Sequence, residues 1–433
     1  MSVTINTNFD ENLVTHLSNV KKEPEWMLDI RLKALEVYKQ LPIPRFEKTR
    51  IDKWNIDQFE FFIDEGDEGN QVDIPEDIRS MIDVNTENRS VIIQRNSALV
   101  HHYLPKSLGD QGVIFTTLDN ALQEYPDLVK KYFMNAVKFD ENKLTALHAA
   151  LWNGGVFLYV PKNVEIEFPL QSVYLAEKAG LLPHVLIIAE TNSNLTFVDY
   201  RFSTDHNVSY IHNGVVEVYV GEGARVRFAT VHNFNKNSYD YSYRRAIVKR
   251  NGRIEWVMGE MNFGNTISNN TSLLKDSAAS ADIKSIFIGT GRQKADLESK
   301  VIHEGDHTES KILSRGIMLD QATAIFNGIT KMEKGAVKSN AEQAENILML
   351  SKEARGDANP ILLIDEHDVM AGHAASAGPV NQNDIYYLMS RGIPKDEAER
   401  LIIHGFLASV VSRIPIEGLQ EQLEKLIERK LKR

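Results

Sequence analysis

The chain is predicted to be mainly β, a parallel β-helix or solenoid of stacked strands with a helical region at each end. Three observations predict it. From Val156 to about Ser351, short apolar or alternating segments follow one another with Gly, Asn and Asp between them, the period-two pattern of strands. A small or polar residue followed by a branched apolar one opens a strand at Val226, Ile254, Ile283 and Ile312, at steps of 28, 29 and 29 residues. Strands recurring in the twenties without helices between them suit stacked coils, each of which leans on its neighbours to bury its apolar face. Before and after this stretch the apolar spacing is three and four. A two-sheet sandwich is the other β arrangement, but its loops would not keep so even a step.

The expected division is residues 1–150 as a helix-rich amino-terminal domain, 151–380 as the β-helix core and 381–433 as a carboxy-terminal helical segment. In the first part, Trp26, Ile30, Leu35, Tyr38 and Leu41 recur at helical spacing until Pro42 and Pro44 end the helix. The acidic stretch 63–77 reads as an exposed loop. LTALHAALWNGG reads as a helix closing at Gly154 and Gly155. In the core, VFLYV, VEIEF, HVLIIAE, LTFVDYRF, VVEVYV and ARVRFATV read as strands. After residue 380, Asp384 is placed as the cap of a helix running to Arg391, with Gly392 at its left-handed stop and Pro394 opening the next. That helix offers Leu401, Ile402, Phe406, Val410 and Ile414 as an apolar face, and the last one offers Leu419, Leu423 and Leu426. Two short amphipathic helices bury little alone, so they are expected to cap the solenoid or to meet another protein.

Composition narrows the function. The net charge is −11, which disfavours nucleic acid or an anionic membrane as the main partner, since both call for a concentrated basic face. The basic run from Arg429 to Arg433 complements a helix dipole. No apolar run approaches a membrane span, and the polar start does not read as a signal peptide, so a cytoplasmic location is expected. The 433 residues include no cysteine. That removes disulfides, redox thiols, thiolate metal sites and a cysteine nucleophile together. Any metal must be held by histidine, carboxylate or backbone.

Candidate sites are few. His303, Glu304 and His307 spell H-E-x-x-H, the pattern of a zinc-dependent hydrolase. That chemistry needs a helix to bring both imidazoles to one metal, and here Gly305 and strand-like flanks favour a turn between coils. Asp199, Glu217, Glu255 and Glu260 are acids in early strands that a polysaccharide-cleaving β-helix enzyme could use. No spacing selects a pair at the separation such chemistry requires. A phosphate loop of the G-x-x-x-x-G-K-[ST] kind is absent, so no ATP hydrolysis by this chain is expected. His373 lies among Ala371, Gly372, Ala374, Ala375 and Gly378, where low side-chain volume would let a backbone or a metal–sulfide unit approach. A neutral imidazole is a good iron ligand, although a buried, hydrogen-bonded histidine is the alternative reading from the residues alone.

Three stretches carry a resemblance to a known family. PEWMLDIRLKAL, then LPIPRFEK and Lys53-Trp54-Asn55, look like an amino-terminal region; LWNGGVFLYVPKNVEIEFPLQ looks like the entry to a β-helical core; and YYLMSRGIPKDEAERLIIHGF is the most specific match. Together they resemble the SufB/SufD family of iron–sulfur cluster assembly proteins, over most of the chain. The cysteine of SufB lies in a Gln-Cys-Asp stretch where this chain reads Gln343-Ala344-Glu345, and SufB's His-Glu-Ala is here His373-Ala374-Ala375. The chain is therefore similar to the cysteine-independent SufD branch, some members of which carry a thiol at the position of Ala371.

The resemblance implies a right-handed β-helix and a non-catalytic scaffold subunit of the SufBCD complex, without a catalytic residue of its own. It would pair with SufB through the β-helices, and the SufC ATPase would bind near the carboxy-terminal helices. His373 would be the cluster-assembly ligand at the SufB interface. Tyr386, Tyr387, Arg391, Gly392, His404 and Phe406 would lie in or beside the SufC contact. A transient iron–sulfur cluster would form in the complex, with no cofactor bound tightly by the isolated chain. Reduced flavin docking on the complex is a family implication that no residue pattern here supports, and a homodimer in isolation is left open.

Overall fold

The computed structural model describes residues 2–5, 9–59, 61–64, 90–177, 180–203 and 209–432. Two long sheets face each other, one of nine and one of ten strands, and from Gly155–Val160 onward successive strands alternate between them. The result is a β-solenoid. Nearly all ladders are parallel, as in Ile211–Val220 beside Tyr239–Val248 and Arg225–Asn233 beside Arg253–Glu260. The reversed strands lie at the early end, where Ala98–Tyr103 runs antiparallel to Ser90–Arg95 and Ile114–Thr117 runs antiparallel to Gly155–Val160. At the other end, Arg355–Ile364 and Met370–Gly378 are the outermost strands of the two sheets.

Coil corners are built by left-handed residues. Asn163, Asn192, Gly223, Asn251, Ala278, His307 and Lys338 all have positive φ, between 53° and 67°. Each donates its N–H to a carbonyl of the next coil, as Asn251 does to Ser277 and His307 to Val337. Asn and Gly tolerate this conformation best, which is why they punctuate the sequence at coil spacing. The coils are less even than the residue pattern suggests. Val226 pairs with Ile254, but Ile254 pairs with Ala281, while Ile283 lies against Trp256 and pairs onward with Ile312. The expected Ile254-to-Ile283 step is thus two residues out of register, since both inward positions accept a branched side chain.

The solenoid interior is apolar over much of its length, with Phe197, Phe228 and Trp256 stacked in successive coils. Helices cover both outer faces: α1 (Glu11–Val20), α2 (Glu25–Gln40), α3 (Lys106–Gly109), α4 (Leu118–Glu124), α5 (Pro126–Tyr132), α6 (Lys143–Leu151), α7 (Gln382–Ser390), α8 (Lys395–Val411) and α9 (Glu417–Leu431). The amino-terminal helices pack on the nine-stranded sheet through Leu35, Leu147, Tyr241 and Tyr243. The carboxy-terminal pair packs on the ten-stranded sheet, where Leu407, Val410 and Leu423 meet Val231, Val257 and Ile288.

Several local readings shift. α2 buries Met27, Arg31, Ala34, Leu35 and Tyr38, leaving Trp26 and Ile30 half-buried. α6 ends at Leu151, before the glycines; Gly154 is left-handed, and Gly155 starts a strand where a Cβ would lie 1.9 Å from the His184 carbonyl oxygen. The VEIEF segment supplies only an isolated bridge at Glu165. Asn381 caps α7, accepting from the Asn383 N–H, and Asp384 sits in the first turn. Pro394 is the residue before α8, whose buried face is Ala398, Ile403, Leu407, Val410 and Val411, so Leu401 turns to solvent. Gly392 is left-handed as expected, with φ 89°. The acidic loop expected over 63–77 lies outside the described residues except for 63–64.

Candidate functional site

The last two strands set the site. In the ten-stranded sheet, inward positions follow parity: Ala341, Gln343, Glu345 and Ile347 point into the solenoid from Asn340–Met349, and Ala344 points out. Register then places His373 over Gln343 and Ala375 over Glu345, with Ala371 over Ala341. His373 is exposed because no further coil covers it. A Cβ added at Gly372 or Gly378 would meet open space, so the backbone on either side of His373 is accessible. An exposed imidazole on an unpaired strand edge is a nitrogen donor free to meet an incoming metal or cluster. The same terminal coil exposes large apolar side chains: Ile361 is 37%, Leu363 45%, Ile364 43% and Met370 67% exposed.

The H-E-x-x-H reading fails on geometry. His303 ends the strand Lys294–His303 and is buried, with its ring nitrogens 2.7 Å from the Thr308 hydroxyl and 2.8 Å from that of Ser310. Burial pushes its imidazole down to about 4. His307 is the left-handed corner residue described above, exposed, with its ring turned to Asp306. Glu304 pairs with Lys275 at 2.6 Å. A buried strand end and an exposed corner do not converge on one metal, because the helix that the motif requires is missing.

The four acids also separate. Asp199 and Glu260 point into the solenoid, where they bind Arg201 and Arg244. Glu217 faces the amino-terminal helices, where it accepts N–H donors of Met134, Ala136 and Val137 and approaches His184 at 3.1 Å. Glu255 is on the outer face of the other sheet, 2.7 Å from Arg227. No two of them face across a cleft, so the glycoside-cleaving reading fails as well.

Sequence reasoning missed a buried polar network. His212, His232 and Asp240 bring three ligand-type atoms within 4.8 Å of one another inside the solenoid. Each is already engaged. An arginine can only donate, so Arg201 at 2.7 Å and Arg244 at 3.2 Å fix both Nε2 atoms as acceptors. Each Nδ1–H therefore donates to Asp240, at 2.7 Å in both cases. Burial pushes His212 down to about 3; it would raise Asp240, but the two imidazoles hold that carboxyl well below its usual range. The set offers protons rather than lone pairs to its centre and reads as a closed hydrogen-bond network. Polar residues at inward-facing spacing in strands were the available signal.

The expected SufC-side residues divide. Tyr386 and Tyr387 on α7 are 74% and 58% exposed, and the Arg391 guanidinium lies 5.3 Å from the Tyr387 ring centre. Gly392 is exposed in the turn. His404 binds Glu428 of α9, and Phe406 lies half-buried under Arg315. The first four face solvent, while the last two serve the packing of α8.

A β-solenoid flanked by helices, with an open terminal coil and no thiol, has counterparts. Residues 173–406 match the family described as SUF system FeS cluster assembly, SufBD core domain, and residues 10–172 match the SufBD protein N-terminal region. The chain belongs to the SufB/SufD family. Among its relatives, an iron-sulfur cluster assembly protein SufD of Bacillus subtilis (strain 168) is 46% identical over 437 residues, covering 100% of both chains. An iron-sulfur cluster assembly SufBD family protein of Staphylococcus aureus (strain USA300) is 32% identical over 419 residues, covering 94% of this chain and 90% of the relative. Among the described residues, no helix is long and apolar enough to cross a membrane.

Proposed function

We propose that the chain is a non-catalytic scaffold subunit of a cytoplasmic SufBCD complex. Its terminal coil pairs with SufB, its carboxy-terminal helices meet the SufC ATPase, and His373 is a ligand to the iron–sulfur cluster assembled between the β-helices. The cluster is cargo rather than a resident cofactor. One observation carries this reading: both sheets end in exposed strands with unpaired edges that carry exposed apolar side chains, and His373 lies on one of them. An unpaired parallel edge is a template for strand addition, and an apolar rim supplies the burial that a stable pairing needs. Likeness to the relative named SufD, together with the missing cysteine, supports SufB as the partner. The exposed tyrosines of α7 support a separate contact for SufC.

The test is co-purification of the untagged chain with tagged SufB and SufC, followed by cluster assembly with His373→Ala. A stable three-component complex whose His373→Ala form assembles but yields little cluster is the expected outcome. Normal yield from that variant would remove His373 from the mechanism, and a chain that never joins SufB would remove the scaffold reading.

A further inference from the structure

We infer that Gln343 and Glu345 form an oxygen-lined site for one hard divalent cation, inside the last closed coil and one strand beneath His373. Glu345 is fully buried, and neither of its carboxylate oxygens has a hydrogen-bond partner among the described residues. Gln343 is 3% exposed, and its amide is oriented by its donors: Nε2 binds the Thr330 hydroxyl at 2.5 Å and the Ile361 carbonyl at 3.2 Å. Its Oε1 is thereby left without a partner as well. Both free oxygens lean over Gly328, where a Cβ would lie 1.9 Å from Glu345 Oε1 and 3.3 Å from Gln343 Oε1. Only glycine leaves that space open.

Acceptor oxygens converging in a dry interior with no donor between them are costly, and a cation resolves the cost. Carboxylate, amide carbonyl and hydroxyl oxygens are the donors that magnesium, manganese and ferrous ions take. Ser314, register partner of Glu345, and Thr330 carry hydroxyls on the preceding coil. No countercharge competes: Glu345 makes no ion pair among the described residues, and Arg315 of the neighbouring strand points outward over Phe406. Burial pushes the Glu345 carboxyl up to about 7, and the nearby Gly328 peptide, without hydrogen-bond geometry, acts in the opposite direction. Entry is from the open end, since the position over Glu345 is only the Ala375 methyl.

Naming ferrous iron as the natural ion rests on the scaffold reading above; the site itself does not. The test is titration of the chelator-treated full-length chain with Mn2+ at pH 8, following free Mn2+ by electron paramagnetic resonance. The expected result is one Mn2+ per chain, at least tenfold weaker binding in Glu345→Gln and in Gly328→Ala, and affinity within threefold of wild type in His373→Ala. Thermal melts check that the variants are folded, and Glu345→Gln should melt no lower than wild type because it removes a buried charge. Absence of Mn2+ binding, or binding unchanged in Glu345→Gln, would overturn the site and leave the carboxyl holding a proton only. Co-purification of the same preparation with SufB and SufC separates the two ideas. A complex without Mn2+ binding sinks the cation site alone, and Mn2+ binding without a complex sinks the scaffold reading alone.

Discussion

His212 and His232 share one carboxylate: their rings meet edge to face, with centroids 5.2 Å apart, and each donates Nδ1–H to a different oxygen of Asp240. Asn262 and Ser242 donate to the same group, so its lone pairs are fully used within the solenoid.

Asp240→Asn removes the charge that holds both imidazoles and places an amide N–H against an imidazole N–H. The expected loss is about 3–5 kcal/mol of stability, the range for breaking a buried charge network. Urea denaturation at pH 7 measures it. A loss under about 1 kcal/mol, the scale of an exposed pair, would mean that the network is looser than the geometry shows.

His303 and His307 should respond in opposite ways. His303→Ala strands the Ser310 hydroxyl in the interior, while the Thr308 hydroxyl keeps Ser339 and the Gly305 carbonyl, and should cost about 1–3 kcal/mol. His307→Gly relieves a left-handed residue at φ 55° and should leave stability within about 0.5 kcal/mol of wild type or slightly above it. Neither change should alter zinc content by elemental analysis. Equal losses accompanied by lost zinc would restore the metal reading.

Lys430 of α9 is 3% exposed and donates to the carbonyls of Asn262 at 2.5 Å and Ile288 at 2.7 Å, beside the Phe263 ring. Burial lowers it to about 7, with Arg429 adding in the same direction. Between pH 7 and about 10.4 the unfolded chain holds a proton that the folded one has shed, so this group makes stability rise with pH across that window. Lys430→Met should melt above wild type at pH 6, with the difference shrinking toward pH 10. A difference independent of pH would show that the lysine stays charged when buried.

Leu363→Lys and Met370→Lys, at side chains 45% and 67% exposed on the terminal coil, should leave the melting temperature within about 2 °C of wild type. Recovery with tagged SufB should fall at least tenfold, because charge on an edge strand opposes pairing. Undiminished recovery would place the SufB contact elsewhere on the surface.

Much of the architecture was legible because solenoid periodicity is local. Alternation in segments such as ARVRFATV and corner residues such as Asn251 act within one coil, so the residues carry the signal directly. Register between coils was not legible, since Ala281 and Ile283 both point inward and only the whole stack decides which one lies against Ile254. The face of α8 was misjudged by one position for a similar reason: Ile402 and Ile403 are equally apolar, and docking on Val257 and Ile288 selects the second. His373 was singled out as a candidate through its small neighbours and the family likeness. Glu345 was not, because a lone acid in a strand gives no sign of facing inward until the parity of Asn340–Met349 is known.

The two ends of the solenoid differ in valency. At the early end the outermost strands run backwards, Ala98–Tyr103 and Ile114–Thr117, so a further coil finds no parallel partner there. At the late end both outermost strands are open and run with the stack. A repeat fold with two open ends would propagate into a filament. With one end reversed, the parallel stack can be continued in register from the late end alone, and head-to-head joining there covers both of its open strands at once. The polarity of the stack is thus written into the direction of two short strands, far from the coil that stays open.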